Sequence, residues 1–181
     1  MTRVNLVDQA AAPAASAAIL MQIQSAFGLV PNMFKALANS PAALASMWGS
    51  FGALGRGRIG TKLGEQIAVA VADRNHCTYC LAAHTMLGQK AGATSAEMAD
   101  AQRGCSTDPR TAAALAFAVK VVENRAAIEA TDVAELRALG FDDEAIVEIL
   151  AHVALNLFTN YVNVALDVPV DFPAVRLSRA A

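Results

Sequence analysis

Cysteine is scarce in this sequence, and the three thiols present, Cys77, Cys80 and Cys105, are too few and too odd in number for the disulfide framework of a small secreted protein. In a reducing compartment a close pair points instead to redox or metal chemistry. An excess of one charge is missing too. Fourteen basic residues against sixteen acidic ones give a formal net charge of −2, with no basic cluster of the kind that neutralises phosphates, so no nucleic-acid partner is expected. Unbroken apolar runs such as Ala112 to Val119 fall well short of the roughly 18 residues that suggest a bilayer span. At the N-terminus, Asp8, Pro13, Gln22 and Gln24 break up any signal-peptide core. The expectation is a soluble, cytoplasmic protein without membrane association.

Alternating β patterns are also nearly absent, and caps and breakers divide the chain into helical segments, so the fold class is all-α. At 181 residues one domain is expected, spanning 1–181, with 1–15 as a flexible arm. A helix over Ala17 to Phe27 should stop at Gly28, and a short one should run from Pro31 to about Ala38. Ser40 before Pro41 opens the next, and Thr61 can cap a helix to Arg74 with Leu63, Ile67, Ala70 and Val71 on one stripe. Cys77 to Lys90 continues as a helix, Thr94 with Glu97 reads as a capping box, and Asp108 with Pro109 starts a helix to Val122. Thr131 begins a short helix stopped by Gly140. Asp142 caps a final helix that is apolar nearly all round and is therefore expected at the centre. The sequence is 55% hydrophobic with much alanine, and such an excess without a membrane span implies subunit interfaces and a homo-oligomer. One internal echo is present: Glu65 precedes Cys77 and Cys80 by the same intervals at which Glu148 precedes Asn160 and Asn163, which suggests a duplication.

Chemistry concentrates between Glu65 and His84. In a helix from Cys77, the residues Cys77, Cys80 and His84 stand at i, i+3 and i+7 on one face. Positions three apart have Cα atoms about 5 Å from one another, within disulfide reach. A helix N-terminus and a nearby imidazole each favour the thiolate, which is the species that attacks peroxides and disulfides. Two plainer readings stand beside this one: a structural zinc site made by the cysteines with His76 and His84, and an inert buried pair in a helical scaffold. Covalent haem attachment fails because Leu81, not histidine, follows Cys80. His152 is expected to be a hydrogen-bonded core histidine, Cys105 a spectator, and Tyr79 is expected to point away from the thiol face.

The spacing E-x₁₁-C-x-x-C-x₃-H, from Glu65 through Cys77 and Cys80 to His84, resembles the alkylhydroperoxidase D signature of the carboxymuconolactone decarboxylase-like superfamily. The words N-H-C-x-Y-C-x-x-A-H and N-x-x-N-x-A-L-D-V-P-V-D-F-P are similar to its peroxidase-related branch, and the likeness extends from Pro31 onward. The resemblance implies an oligomeric helical bundle, trimer or hexamer, around a central hairpin that carries the cysteines. It also implies an antioxidant thiol peroxidase acting on organic hydroperoxides, with Cys80 as the attacking thiol, Cys77 resolving, and His84 with Glu65 relaying protons. No cofactor beyond the Cys77–Cys80 disulfide is implied. The resetting dithiol would come from a lipoyl-bearing protein, and a peroxiredoxin is a further possible partner. Tyr79 departs from the histidine found there in better-studied relatives. The decarboxylase branch works without this pair, so the pair argues against a lyase.

Overall fold

Capping chemistry sets most of the helix boundaries. The computed structural model describes residues 2–178. Among these, a 3₁₀ turn at Gln9–Ala11 is followed by α1 (Ala14–Phe27), α2 (Asn32–Leu37), α3 (Pro41–Leu54), α4 (Thr61–Arg74), α5 (Thr78–Lys90), α6 (Ser95–Gln102), α7 (Pro109–Glu123), α8 (Ala130–Ala138) and α9 (Asp143–Leu166). The all-α expectation holds. Ser40 accepts the Ala43 N–H, Asp108 that of Thr111 and Asp142 that of Ala145, while Thr94 and Glu97 close a reciprocal capping box. Each such cap contributes about 1 kcal/mol. Several starts differ from the sequence reading: α1 begins at Ala14 rather than Ala17, and Pro31 and Cys77 stand just before α2 and α5 rather than inside them. Gly60 rather than Thr61 precedes α4, and Glu129 pairs with Asp132 to open α8 one residue before Thr131.

The central element is α4, not α9. Every residue from Gln66 to Asp73 is buried, because α4 packs against α5, α6, α7 and α9 at once. Its end forms a tight reversal: the Cys77 N–H donates to the Ala72 carbonyl, and His76 sits between them in the left-handed region at φ 52°. That six-to-one bond is a Schellman-type C-cap, and it turns the chain straight into α5. A helical hairpin results.

The final helix corrects the expectation of burial on all sides. Its inner face carries Asn156, Thr159, Asn160 and Asn163 beside Ile149 and Val153, whereas Val147, Phe158, Tyr161 and Val164 lie outward and exposed. By length and composition α9 could cross a bilayer, but only 44% of its most apolar window is buried here. The amides point in, while part of the helix's hydrocarbon faces out.

The described part of the N-terminal segment is tied down. Arg3 N–H donates to the Leu166 carbonyl and Val7 N–H to that of Lys35, while Val4, Leu6 and Val7 rest on the core. At the other end, Ser178 donates to the buried Asp73 carboxylate, and Phe172 meets Tyr79 edge-on with ring centroids 5.5 Å apart. The echo between Glu65 and Glu148 is not a repeated element. Glu65 and the cysteines span two helices of a hairpin, whereas Glu148, Asn160 and Asn163 share one uninterrupted helix.

Candidate active site

The hairpin closes a gap of 19 residues between Glu65 on α4 and His84 on α5, bringing Glu65 Oε2 to 2.7 Å from His84 Nδ1. Cys77 is the N-cap of α5 rather than its first helical residue, and its Sγ accepts the Cys80 N–H at 3.3 Å. Sulfur occupies the place a serine oxygen takes in an ordinary cap. Both thiols are free, with Cys77 1% and Cys80 2% exposed. All four residues singled out by spacing therefore gather around the hairpin.

Sequence reasoning left α9 out of the site. Asn163 Nδ2 donates to Cys80 Sγ at 3.2 Å, and Thr159 Oγ1 lies 3.8 Å from the same sulfur. Asn160 accepts from Asn75 Nδ2 at 2.8 Å and so ties α9 to the hairpin turn. The available signal was a set of amides at helical spacing in an otherwise apolar helix, where an unpartnered amide is costly.

Burial opposes ionisation of Cys80, but the Cys77 hydrogen bond, the charge of His84 and the contacts with Asn163 and Thr159 outweigh it and lower the thiol to about 6. Cys77 is pushed the other way by its bond to Cys80, by burial and by the Cys80 charge. For His84, burial favours the neutral ring, yet the charge and hydrogen bond of Glu65, followed by the charge of Cys80, raise its pKa. The arrangement sets a lowered thiol, a raised imidazole and the Glu65 carboxyl group in sequence.

Cys80, Glu65 and His84 line an apolar cavity of about 290 Å³ with Phe27, Trp48 and Phe172 among its walls; Cys77 does not line it. Tyr79 does line it, contrary to the expectation that it points away, because its hydroxyl is anchored by the Met33 N–H at 3.1 Å. His152 also differs from expectation: its Nε2 is buried without a hydrogen-bond partner. His76 and Cys105 are exposed, the first on the hairpin turn and the second between α6 and α7. Among the described residues, no three of His, Cys, Asp and Glu converge as metal ligands.

Residues 41–124, which contain the whole hairpin, match the carboxymuconolactone decarboxylase family. A peroxidase-related protein with an alkylhydroperoxidase AhpD core, from Ralstonia eutropha JMP134, superposes with a TM-score of 0.85 at 26% identity, over 94% of this chain and 92% of its own. The family match over the hairpin and this superposition support an alkylhydroperoxidase D-like fold of the carboxymuconolactone decarboxylase superfamily. A peroxidase-related protein from Silicibacter sp. TM1040 superposes on this chain at TM-score 0.81 and 27% identity, over 92% and 89% of the two chains. The debrominase Bmp8, solved in its C82A form with 2,3,4-tribromopyrrole, shares the fold at TM-score 0.81 and 22% identity, over 94% and 92%. No curated protein matches the sequence.

Proposed function

We propose that this protein is a thiol-dependent peroxidase that reduces organic hydroperoxides through Cys80 and Cys77. The observation that carries this reading is the lowered, cavity-facing Cys80 thiol beside a second thiol that does not face the cavity. The Cys80 thiolate attacks the distal peroxide oxygen, the O–O bond breaks, and the departing alkoxide takes a proton from the His84–Glu65 pair, leaving a sulfenic acid on Cys80. The Cys77 thiol then displaces water to form the disulfide, so one hydroperoxide consumes two thiols and yields one alcohol and one water. An external dithiol restores the pair, a step that suits a lipoyl group, and the reduced pair can in turn reduce a peroxiredoxin. The apolar, aromatic walls suit a hydroperoxide with a bulky hydrocarbon group better than hydrogen peroxide.

The assignment of Cys80 as attacker rests on two independent features. It faces the cavity, and its sulfur receives the Asn163 N–H while standing in the field of His84. Stopped-flow measurement with cumene hydroperoxide and a dithiol should show turnover in the wild type. Absence of turnover with any supplied dithiol, although Cys80 remains reduced and titratable, would refute the reading.

A further inference from the structure

The sequence word V-P-V-D-F-P, residues 168–173, takes no part in the chemistry of Cys80 and Cys77, yet it reaches their cavity through Phe172. Of the other aromatic walls of that cavity, Phe27 stands on α1, Phe34 on α2, Trp48 and Phe51 on α3, and Tyr79 on α5. Phe172 alone among these aromatic walls belongs to non-helical chain, beyond the end of α9. Its ring is half-buried and packs edge-on against Tyr79, the neighbour of Cys80 in sequence.

Pro169 and Pro173 keep this segment out of the helical state, so tertiary bonds must set its course. At its start, the Val168 N–H donates to the Asn163 carbonyl at 3.0 Å, and the side chain of the same asparagine donates to Cys80 Sγ. In its middle, Asn32 donates twice, through its backbone N–H to Asp171 Oδ2 at 2.7 Å and through Nδ2 to the Pro169 carbonyl at 3.1 Å. At its far end, Gln102 Nε2 donates to the Arg176 carbonyl at 2.8 Å, and the Ser178 N–H to Asp73 Oδ1 at 2.8 Å. Asp73 is 0% exposed, and a buried carboxylate is costly without donors, so this last clasp favours a strap that stays down. Phe172 is thereby held between anchored points on α2, α4 and α6, immediately after the Asp171 that Asn32 grips.

We infer that this C-terminal strap is a specificity wall: Phe172 limits the breadth of the group that can lie against Cys80, and Asp171 is a positioning residue that holds the ring in place. On the peroxidase reading, with which this assignment stands as the choice of substrate, the selected feature is the hydrocarbon group of the hydroperoxide. A compact group such as cumyl suits a cavity of about 290 Å³, whereas a fused polycyclic group meets the Phe172 ring. Even one methylene in an apolar pocket changes discrimination by about 10- to 200-fold, and a whole ring is a larger change. Asp171 does not line the cavity and acts only through Phe172.

The width of the cavity is measured without peroxide. The reduced protein is alkylated with N-methylmaleimide or with N-(1-pyrenyl)maleimide, which share a reactive ring and differ in bulk, and peptide mapping follows each cysteine separately. The rate ratio of bulky to small reagent at Cys80, divided by the same ratio at the exposed Cys105, cancels the chemistry of the reagents. Phe172→Ala should raise this normalised ratio at least about tenfold, and Phe172→Tyr, which keeps the ring, should leave it at the wild-type value. Asp171→Ala should raise it as well, and Asp171→Asn, which keeps an acceptor for the Asn32 N–H, should restore it. An unchanged ratio in folded Phe172→Ala protein would overturn the wall, and an unchanged ratio in Asp171→Ala would overturn the positioning role. Should Phe172→Ala fail to fold, Phe172→Leu decides, because it removes the ring and keeps an apolar contact; a raised ratio supports the wall and an unchanged one overturns it. A raised ratio in variants of a protein that does not turn over cumene hydroperoxide would uphold the wall while refuting the peroxidase reading, and turnover with an unchanged ratio would do the reverse.

Discussion

Cys80 is lowered, against its burial, by the hydrogen bond with Cys77, the charge of His84 and the hydrogen bonds with Asn163 and Thr159. A hydrogen bond to a charged group contributes about 1.5–3 kcal/mol, and one pKa unit is about 1.4 kcal/mol. Asn163→Leu should therefore raise the Cys80 midpoint from about 6 by roughly one unit, read as thiolate absorbance against pH. An unchanged midpoint would remove Asn163 from the site. The signs of the two shifts define a pH window. Cys80 is lowered, so its contribution to stability is complete above the ordinary cysteine value and is lost as pH falls through about 6. His84 is raised, so its contribution is complete below the ordinary histidine value and is lost as pH rises through the folded-state pKa. The rate of Cys80 oxidation should accordingly rise through about pH 6 and fall again only above the usual histidine range. A profile that keeps rising to pH 9 like a free thiol would contradict the ion pair.

Helix ends position the site at the scale of elements. The α4–α5 reversal places His76 at φ 52°, a conformation that costs a side-chain-bearing residue about 1–2 kcal/mol. His76→Gly should relieve that strain without touching the hairpin bond from Cys77 N–H to Ala72, giving about 1 kcal/mol more stability in urea unfolding. A loss of stability would show that the His76 side chain makes a contribution of its own. The hairpin itself was legible in the sequence, because the Leu63, Ile67, Ala70 and Val71 stripe and the E-x₁₁-C-x-x-C-x₃-H spacing place Glu65 and His84 on successive helices. What the sequence hid was which way α9 faces. A helix with apolar residues on all sides carries no periodic signal, so Asn156, Thr159, Asn160 and Asn163 could not be assigned inward before the packing of α9 against α4 and α5 was seen. Cys77 looked like the first residue of its helix for a similar reason. Only the φ and ψ values and the Sγ bond to Cys80 N–H separate an N-cap from a first turn.

On the scale of the whole molecule, the outer face of α9 leaves Val147 63% and Tyr161 62% exposed, with Val164 and Phe158 between and beside them. A contiguous apolar strip of this kind marks an association surface, and we propose that it joins copies of this chain. Light scattering at micromolar concentration should give a multiple of 18.8 kDa, and a strictly monomeric mass would contradict the proposal. Tyr161→Glu with Val164→Glu should shift the mass toward the monomer. The fold as a whole places one thiol in an apolar cavity, its partner one helical turn behind, and the Glu65–His84 pair on the border between that cavity and a second, smaller one. The most direct measurement is the mass and thiol content of the Cys77–Cys80 peptide after one equivalent of cumene hydroperoxide, with Cys77→Ser and Cys80→Ser in parallel. Loss of two thiols in the wild type, a trapped sulfenic acid on Cys80 in Cys77→Ser and no reaction in Cys80→Ser are predicted; unchanged thiols in the wild type, or an adduct on Cys77 formed at the wild-type rate in Cys80→Ser, would contradict the account.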